Sequence, residues 1–349
     1  MRTITLIPGD GIGPSVVEAA VRVVEATGVK INWDRVEAGM SALESSGHLL
    51  PARTINSIKK NRIALKGPLA TPIGEGFSSV NVQLRKVFDL YMNFRPVKSF
   101  PGISPFKNVN ILVFRENIED FYAGEPQYVD IENTVAELTG TISYRNSYRF
   151  FYRAFNLARA NKRRKITVGH KANIFKMYHG LFLDAARDVA SQFPEIELRE
   201  EIIDALCMKL VTDPTKFDCV AAPNVFGDIL SDLCAGLVGG LGIAPGANYG
   251  DSTGIFEAVH GSAPDIEGKN VANPTAVILS AAMMLEHVGE VDAAYLIRSA
   301  IERIIEDKKF LTVELNPEGV GTIEMTDAIV EKVSSMQELR KRLSGVGRN

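Results

Sequence analysis

The sequence predicts an α/β protein of two domains, on three observations. The chain has 349 residues, 46% of them apolar, enough for about two domains with sizeable cores. Short β-branched runs alternate with longer stretches of helical periodicity. Pro/Gly-rich stretches at 94–105 and 239–254 interrupt that alternation and read as crossovers between domains.

Taken in order, strands are expected at 3–7, 63–65, 110–114, 165–169 and 219–222. Helices are expected at 15–27, 148–160, 175–193, 228–238 and 274–287. In the first helix Val16, Val17, Ala20, Val23 and Val24 recur at helical spacing. Pro14 precedes it where a missing N–H costs nothing, and Gly28 follows as a C-cap. Alternating apolar residues and a Thr-Gly-Thr turn at 129–144 read as an arm or extended hairpin. No internal repeat and no low-complexity tract is visible.

Charge excludes several function classes. A formal net charge of −3 provides no basic field for nucleic acid or an anionic membrane. No apolar run approaches the ~18 residues a membrane span needs. The N-terminus enters a strand at once, so no signal or transit peptide is expected. Cys207, Cys219 and Cys234 fit neither a disulfide framework nor a zinc spacing. Their apolar surroundings point to a reducing compartment, read here as cytoplasmic.

The loop Ile7-Pro-Gly-Asp-Gly-Ile-Gly-Pro14 follows a strand and precedes a helix, which invites a dinucleotide reading. Its spacing is G-x-G-x-G, Asp10 sits between the glycines, and no acid is expected to cap a second strand. A Rossmann fold is therefore not predicted, and a tight strand-to-helix turn explains the glycines.

Chemistry enters with Asp228 and Asp232, which share one helix face at i and i+4. Ile229, Leu230 and Leu233 beside them are apolar, so the helix is expected to be packed. Two such carboxylates suit a hard cation, Mg²⁺ or Mn²⁺; an acidic cluster that complements the helix dipole is the alternative. Arg85, Arg95 and Arg115 lie on separate segments, and each can fork onto a carboxylate with two hydrogen bonds.

Long motifs surround these residues. They are Lys66-Gly-Pro-Leu-Ala-Thr-Pro, Ser79-Val-Asn-Val-Gln-Leu-Arg85 and Tyr91-Met-Asn-Phe-Arg95-Pro. Further on come Phe114-Arg-Glu-Asn-Ile-Glu-Asp-Phe-Tyr-Ala-Gly124, Gly169-His-Lys-Ala-Asn-Ile-Phe-Lys176 and Glu257-Ala-Val-His-Gly-Ser-Ala-Pro-Asp-Ile-Glu-Gly268. Together with the aspartate helix they resemble, in order and over essentially the whole chain, the β-decarboxylating dehydrogenases that act on isocitrate, isopropylmalate or homoisocitrate.

The resemblance implies an isocitrate/isopropylmalate dehydrogenase-like fold. Residues 1–99 and 252–349 would form a large cofactor-binding domain. Residues 100–251 would form a small domain with the dimer contact, and the active site would lie in the cleft. It implies a homodimer whose site is shared: Asp228 and Asp232 from one protomer, Lys171 and Asp204 from the other. Asp204, Asp228 and Asp232 would hold Mg²⁺ or Mn²⁺. Arg85, Arg95 and Arg115 would clamp a tricarboxylate, Lys171 with Asp204 nearby would take the hydroxyl proton, and Tyr122 would return a proton after CO₂ leaves. Contacts to NAD would come from Thr71, Asn173, His260, Gly261, Asp265, Ile266 and Asn273.

Within the family, Ser79 and Asn81 resemble the pair that isocitrate members offer to the γ-carboxylate. An isopropyl group against Asn81 would leave an amide unpaired, at ~1–3 kcal/mol. Asp265 and Ile266 stand where NADP-dependent members carry Lys-Tyr, and an aspartate accepts from a ribose 2′-OH while repelling a 2′-phosphate. Acidic Asp327 and Glu331 stand where NADP-type members place a Tyr and an Arg. The expectation is an NAD-dependent isocitrate dehydrogenase. Homoisocitrate, one methylene longer, is the alternative substrate, and a non-catalytic regulatory subunit is the alternative role.

Overall fold

A computed structural model describes residues 1–72, 79–124, 126–129 and 131–346. The chain opens with β1 (Arg2–Ile7), α1 (Gly13–Ala26), β2 (Ile31–Arg35), α2 (Met40–Ser46), α3 (Ala52–Asn61), β3 (Ile63–Lys66) and α4 (Val80–Val87). It continues through β4 (Met92–Lys98), β5 (Asn110–Glu116), β6 (Pro126–Tyr128), β7 (Ala136–Leu138), α5 (Tyr144–Ala160), β8 (Lys165–His170), α6 (Lys176–Ala190) and β9 (Glu197–Ile202). Then come α7 (Ile203–Thr212), β10 (Cys219–Ala222), α8 (Asn224–Val238), β11 (Pro245–Tyr249), β12 (Gly254–Ala258), α9 (Thr275–His287), α10 (Val291–Asp307) and α11 (Thr322–Val346).

The chain divides into two compact units, one of Met1–Leu84, Phe100–Pro105 and Gly239–Asn349, the other of Arg85–Ser99 and Phe106–Val238. In the first, strands run in the order β2-β1-β3-β12-β11, all pairs parallel except β11 with β12. Helix α9 is buried along its length from Thr275 to Leu285 and packs on α1, α10 and β12. A helix apolar all round belongs in a core. In the second unit the order is β4-β5-β10-β8-β9, antiparallel at β4–β5 and parallel elsewhere. Helices α5 and α6 pack together through Phe150, Phe151 and Phe182, with the Phe151 and Phe182 ring centroids 4.6 Å apart. Each fully buried ring contributes roughly 1.5–3 kcal/mol.

The glycine loop after β1 is occupied by the chain itself. A Cβ at Gly9 would lie 2.2 Å from the Pro68 carbonyl oxygen, and one at Gly11 would lie 2.0 Å from that of Ser262. Both glycines also hold positive φ, +82° and +60°. The buried Asp10 carboxylate accepts from the N–H groups of Met40 (3.0 Å), Ser41 (3.0 Å) and Ala70 (2.8 Å). The loop thus ties three segments together, in keeping with a tight turn and not a phosphate cradle.

Four expectations need correction. An acid does stand on the second strand: Asp34 lies in β2, where Ser57 (2.6 Å) and Asn61 (3.3 Å) donate to it. The stretch 94–105 is not all crossover, because its first part completes β4, with Pro96 opposite Leu112. Likewise β11 forms inside 239–254. On α8, Leu230 is buried, but Ile229 is 57% exposed, so that helix is packed on one face only. The 129–144 segment contains β7, which pairs with β6 as an antiparallel hairpin.

Candidate functional site

The second unit carries a tight cluster of charged side chains. Arg95 on β4 and Arg115 on β5 share a sheet face, since Arg95 pairs with Val113 and Arg115 with Asn93. Helix α8 packs over these strands because Gly227 has no side chain: a Cβ there would meet Arg115 Cγ at 2.7 Å. This close approach brings both aspartates onto the arginines. Arg115 Nη1 donates to Asp228 Oδ1, while its Nε and Nη2 donate to Asn224 Oδ1 at 3.0 and 2.7 Å. Arg95 Nη1 donates to Ser231 Oγ at 2.5 Å and to Asp232 Oδ1 at 3.0 Å, and its Nη2 lies 3.9 Å from Asp228 Oδ1. Burial, with Arg85 adding to it, lowers the Arg115 pKa to about 10, so the guanidinium stays charged at neutral pH.

Tyr122 completes the cluster. It lies on a 3₁₀ turn, Phe121–Ala123, and its hydroxyl donates to Asp228 Oδ2 at 2.5 Å. The Arg115 guanidinium lies 4.9 Å from the centre of its ring. Burial first, then the bond to Asp228, pushes the phenol pKa up, so the phenol keeps its proton to give. Asp120, just before the turn, holds positive φ of 70°. Its carboxylate accepts from Tyr178 Oη at 2.9 Å and from the Val225 N–H at 2.9 Å, pinning the turn to the first residues of α8. Asn224 Nδ2 adds a bond to the Glu119 carbonyl at 2.9 Å.

Lys171 and Asp204 form a separate pair. Lys171 Nζ donates to Asp204 Oδ1 at 2.6 Å, and that bond holds the exposed Asp204 carboxyl below its usual pKa. Among the described residues no three acidic, histidine or cysteine side chains gather as a metal-holding group, so one chain alone does not bring Asp204 to Asp228 and Asp232. Asn173 lies exposed on the same loop as Lys171.

Helix α4 carries Asn81 and Arg85 one turn apart. Asn81 Oδ1 and Arg85 Nε are buried without a hydrogen-bond partner among the described residues. Ser79, just before the helix, is exposed, and Thr71 Oγ1 accepts from the Val80 N–H at 3.3 Å.

The expected cofactor residues lie in the first unit, apart from Asn173. His260 Nδ1 faces its neighbour's carbonyl, that of Gly261, at 3.0 Å. Its Nε2 and the Asn273 Nδ2 are buried without partners among the described residues. Burial lowers the His260 pKa, leaving a neutral ring. Asp265 and Ile266 lie on a 3₁₀ turn with no side-chain cap. Asp265 is exposed, and no hydrogen bond of its carboxylate to the turn is found among the described residues. Asp327 is already engaged, pairing with Arg22 at 2.5 Å.

The family of isocitrate/isopropylmalate dehydrogenases matches residues 3–329. The chain belongs to this family. A crystal structure of isocitrate dehydrogenase from Methylococcus capsulatus superposes with a TM-score of 0.93 at 50% identity, covering 96% of this chain and 100% of that one. The NAD isocitrate dehydrogenase subunit 2 of Schizosaccharomyces pombe, a mitochondrial protein, is 44% identical over 95% of this chain and 87% of its own length. A regulatory subunit of the NAD isocitrate dehydrogenase of Dictyostelium discoideum, also mitochondrial, is 45% identical over 96% of this chain and 92% of its own. This member of the family thus resembles both a plain isocitrate dehydrogenase and a protein termed regulatory.

Asn224, Ser231, Asp120 and His179 were not singled out by the sequence. The first two lay inside the aspartate motif, where polar side chains one turn from an acidic pair were the available signal. Asp120 acts through contacts distant in sequence, and His179 meets a backbone amide eight residues before it, which no side-chain pattern reports.

Proposed function

We propose that the chain catalyses NAD-dependent oxidative decarboxylation of isocitrate to 2-oxoglutarate and CO₂. The observation that carries the reading is the Arg95–Arg115–Tyr122–Asp228–Asp232 cluster. It sets guanidiniums for carboxylates, a protonated phenol and an acidic pair on one sheet face. The relatives' isocitrate dehydrogenase names support it. The Asn81 oxygen and Arg85 Nε, buried and without a partner among the described residues, favour a polar substrate beside α4 over an isopropyl group.

Asp228 and Asp232 fit a divalent cation. Their donors are all oxygen, as Mg²⁺ or Mn²⁺ prefers, and both already lean on the Arg95 guanidinium. Asp204 would complete the set from a second copy. A bound cation would supply Lewis acidity toward the substrate hydroxyl and carbonyl. For NAD, Asn273 Nδ2 and His260 Nε2, without partners among the described residues, are groups a ligand can satisfy. Asp265 is free to accept from a ribose hydroxyl, and its charge opposes a 2′-phosphate. Bound NAD would accept the hydride from the carbinol carbon.

The chain's own residues do the rest. Arg85, Arg95 and Arg115 bind and orient the carboxylates, which fixes the reacting carbon. Lys171, once its ammonium has passed a proton through Asp204 to solvent, takes the hydroxyl proton with its neutral amine. Tyr122, its proton held by burial and Asp228, donates to the carbon that loses CO₂.

The site is completed by a second copy in this reading. Helices α7 and α8 pack together and leave Met208, Val211 and Ile229 more than half exposed, an apolar face suited to a partner. The setting in this reading is reducing and cytoplasmic, because the three cysteines fit no disulfide framework. The Dictyostelium relative's name favours a second reading, a regulatory subunit without turnover; the full set of Tyr122, Lys171, the aspartates and the arginines weighs for catalysis.

Initial rates of the purified chain with Mg²⁺ decide. Isocitrate, homoisocitrate and isopropylmalate are each paired with NAD⁺ and NADP⁺. Highest kcat/KM for isocitrate with NAD⁺ is expected. Preference for isopropylmalate would refute the Asn81 argument, preference for homoisocitrate would show that other residues set the length of the γ-carboxylate pocket, and silence with every pair would leave the regulatory role.

A further inference from the structure

We propose that His179 is a positioning residue for Lys171, holding the lysine's backbone by accepting its amide hydrogen. The proposal rests on the reading of Lys171 as the proton acceptor. Lys171 sits on a short turn between β8 and α6, and its carbonyl accepts from the N–H groups of Ile174 (3.0 Å) and Phe175 (2.8 Å). That turn satisfies the carbonyl but leaves the Lys171 N–H pointing inward. His179, one turn into α6 and 2% exposed, meets it: the Lys171 N–H donates to His179 Nδ1 at 2.8 Å. The adjacent Ala172 N–H donates to His170 Nδ1 at 3.1 Å. Two imidazoles therefore hold two successive amides of the segment that carries the lysine.

The bond defines the ring's state. An amide donates, so Nδ1 must be bare and the His179 proton must sit on Nε2. Burial keeps the ring neutral by lowering its pKa to about 4, against the pull of Asp120 and with His170 adding to the drop. Its orientation is fixed by aromatic edges. The Phe175 and Phe226 ring centres both lie 5.2 Å away, nearly perpendicular to the imidazole. Phe226 is in the first turn of α8, two residues before Asp228. The imidazole therefore ties the Lys171 backbone to the first turn of α8 through Phe226.

The test compares kcat and KM for isocitrate among wild type, His179→Leu, His179→Asn, His179→Gln and Lys171→Met. Asparagine places its Oδ1 where Nδ1 stands; glutamine places its oxygen near the Nε2 position; leucine has no acceptor. Leucine is expected to lower kcat by about 10- to 100-fold, the effect of a displacement near 1 Å at a reacting group, with KM within threefold of wild type. Asparagine is expected to restore kcat to within about threefold, and glutamine is not. A leucine variant within twofold of wild type, or asparagine as slow as glutamine, would overturn the proposal. The Asn/Gln comparison decides even if the leucine variant does not fold. Full kcat in Lys171→Met would remove the lysine's role, and the proposal with it. A slow Lys171→Met beside a normal His179→Leu would remove the His179 proposal alone.

Discussion

Asp228 receives three interactions at once, from Arg115, Arg95 and Tyr122, so its neighbours can be tested one at a time. Tyr122→Phe removes the phenol proton but leaves Asp228 bound to Arg115. If Tyr122 returns the proton after CO₂ leaves, one rapid turnover's worth of NADH should still form, while steady-state turnover falls by about 100-fold, as loss of a general acid does. Rapid-mixing absorbance at the NADH band separates the two phases. Full steady-state turnover would assign the proton to another group. Asp265 poses the matching question for the cofactor. Its carboxylate is exposed and does not cap its own turn, so replacing it does not remove a structural bond. Asp265→Lys with Ile266→Tyr should raise the NADP⁺/NAD⁺ ratio of kcat/KM by at least about tenfold, the value of ~1.4 kcal/mol of altered charge interaction. An unmoved ratio would mean that Asp265 does not face the ribose.

Element by element, what was legible in the sequence followed from local pattern. Strand β10 was readable residue for residue, because Cys219–Ala222 is a short, fully buried apolar run. Helix α8 was expected from Asp228 but begins at Asn224. The extra turn contains Gly227 and is held by the Asp120 carboxylate on the Val225 N–H, a partner 105 residues away that no local pattern reports. Helix α5 starts at Tyr144 instead of Tyr148 because Ser143 Oγ caps the Asn146 N–H. Strand β9, Glu-Leu-Arg-Glu-Glu-Ile, went unread since it is too charged and exposed to show strand alternation. At the site, the arginines and aspartates were legible as a motif, but the Asn224 fork and the His179 acceptor were not, since a lone polar side chain does not announce its partner. Glu116 is buried, and its carboxylate accepts from the N–H groups of Ile118 (2.9 Å) and Glu119 (3.1 Å), anchoring the loop to Tyr122. Burial raises its pKa from 4.5 to about 7, against the lowering by those amides. Between these values the unfolded chain is ionised while the folded chain keeps its proton, so stability falls as pH rises through that window. The penalty, absent below the unfolded value, reaches on the order of 3 kcal/mol above pH 7. Glu116→Gln carries no charge at any pH, so its stability relative to wild type should improve by roughly that amount from pH 4 to pH 8. Urea unfolding at both pH values measures it. A constant difference would show that the carboxyl ionises in its ordinary range.

At the scale of the whole molecule, the proposed catalytic groups fall into two sets. Asp228, Asp232, Tyr122 and the arginines form one cluster, and Lys171 with Asp204 forms the other. A chain acting alone would then hold two half-sites. Two copies related by a two-fold axis would instead give each cluster the other's lysine and aspartate. This arrangement predicts complementation between inactive variants. Lys171→Met lacks the proton acceptor, and Asp228→Asn lacks a cation ligand, so each homodimer should be inactive. In a hybrid dimer, one site would draw its intact Asp228 from the first chain and its intact Lys171 from the second, while the other site would carry both defects. Random mixing makes half of the dimers hybrids, each with one of two sites restored, so activity should return to about one quarter of wild type. The mixture must be unfolded and refolded together, because separately folded dimers would not exchange. Sedimentation of the refolded sample confirms that dimers have formed. Recovery near a quarter would place Lys171 in the neighbour's site. No recovery from a dimeric mixture would mean that each chain, through closure of its own parts, completes its site alone, and Lys171 and Asp228 would then have to approach within one protomer.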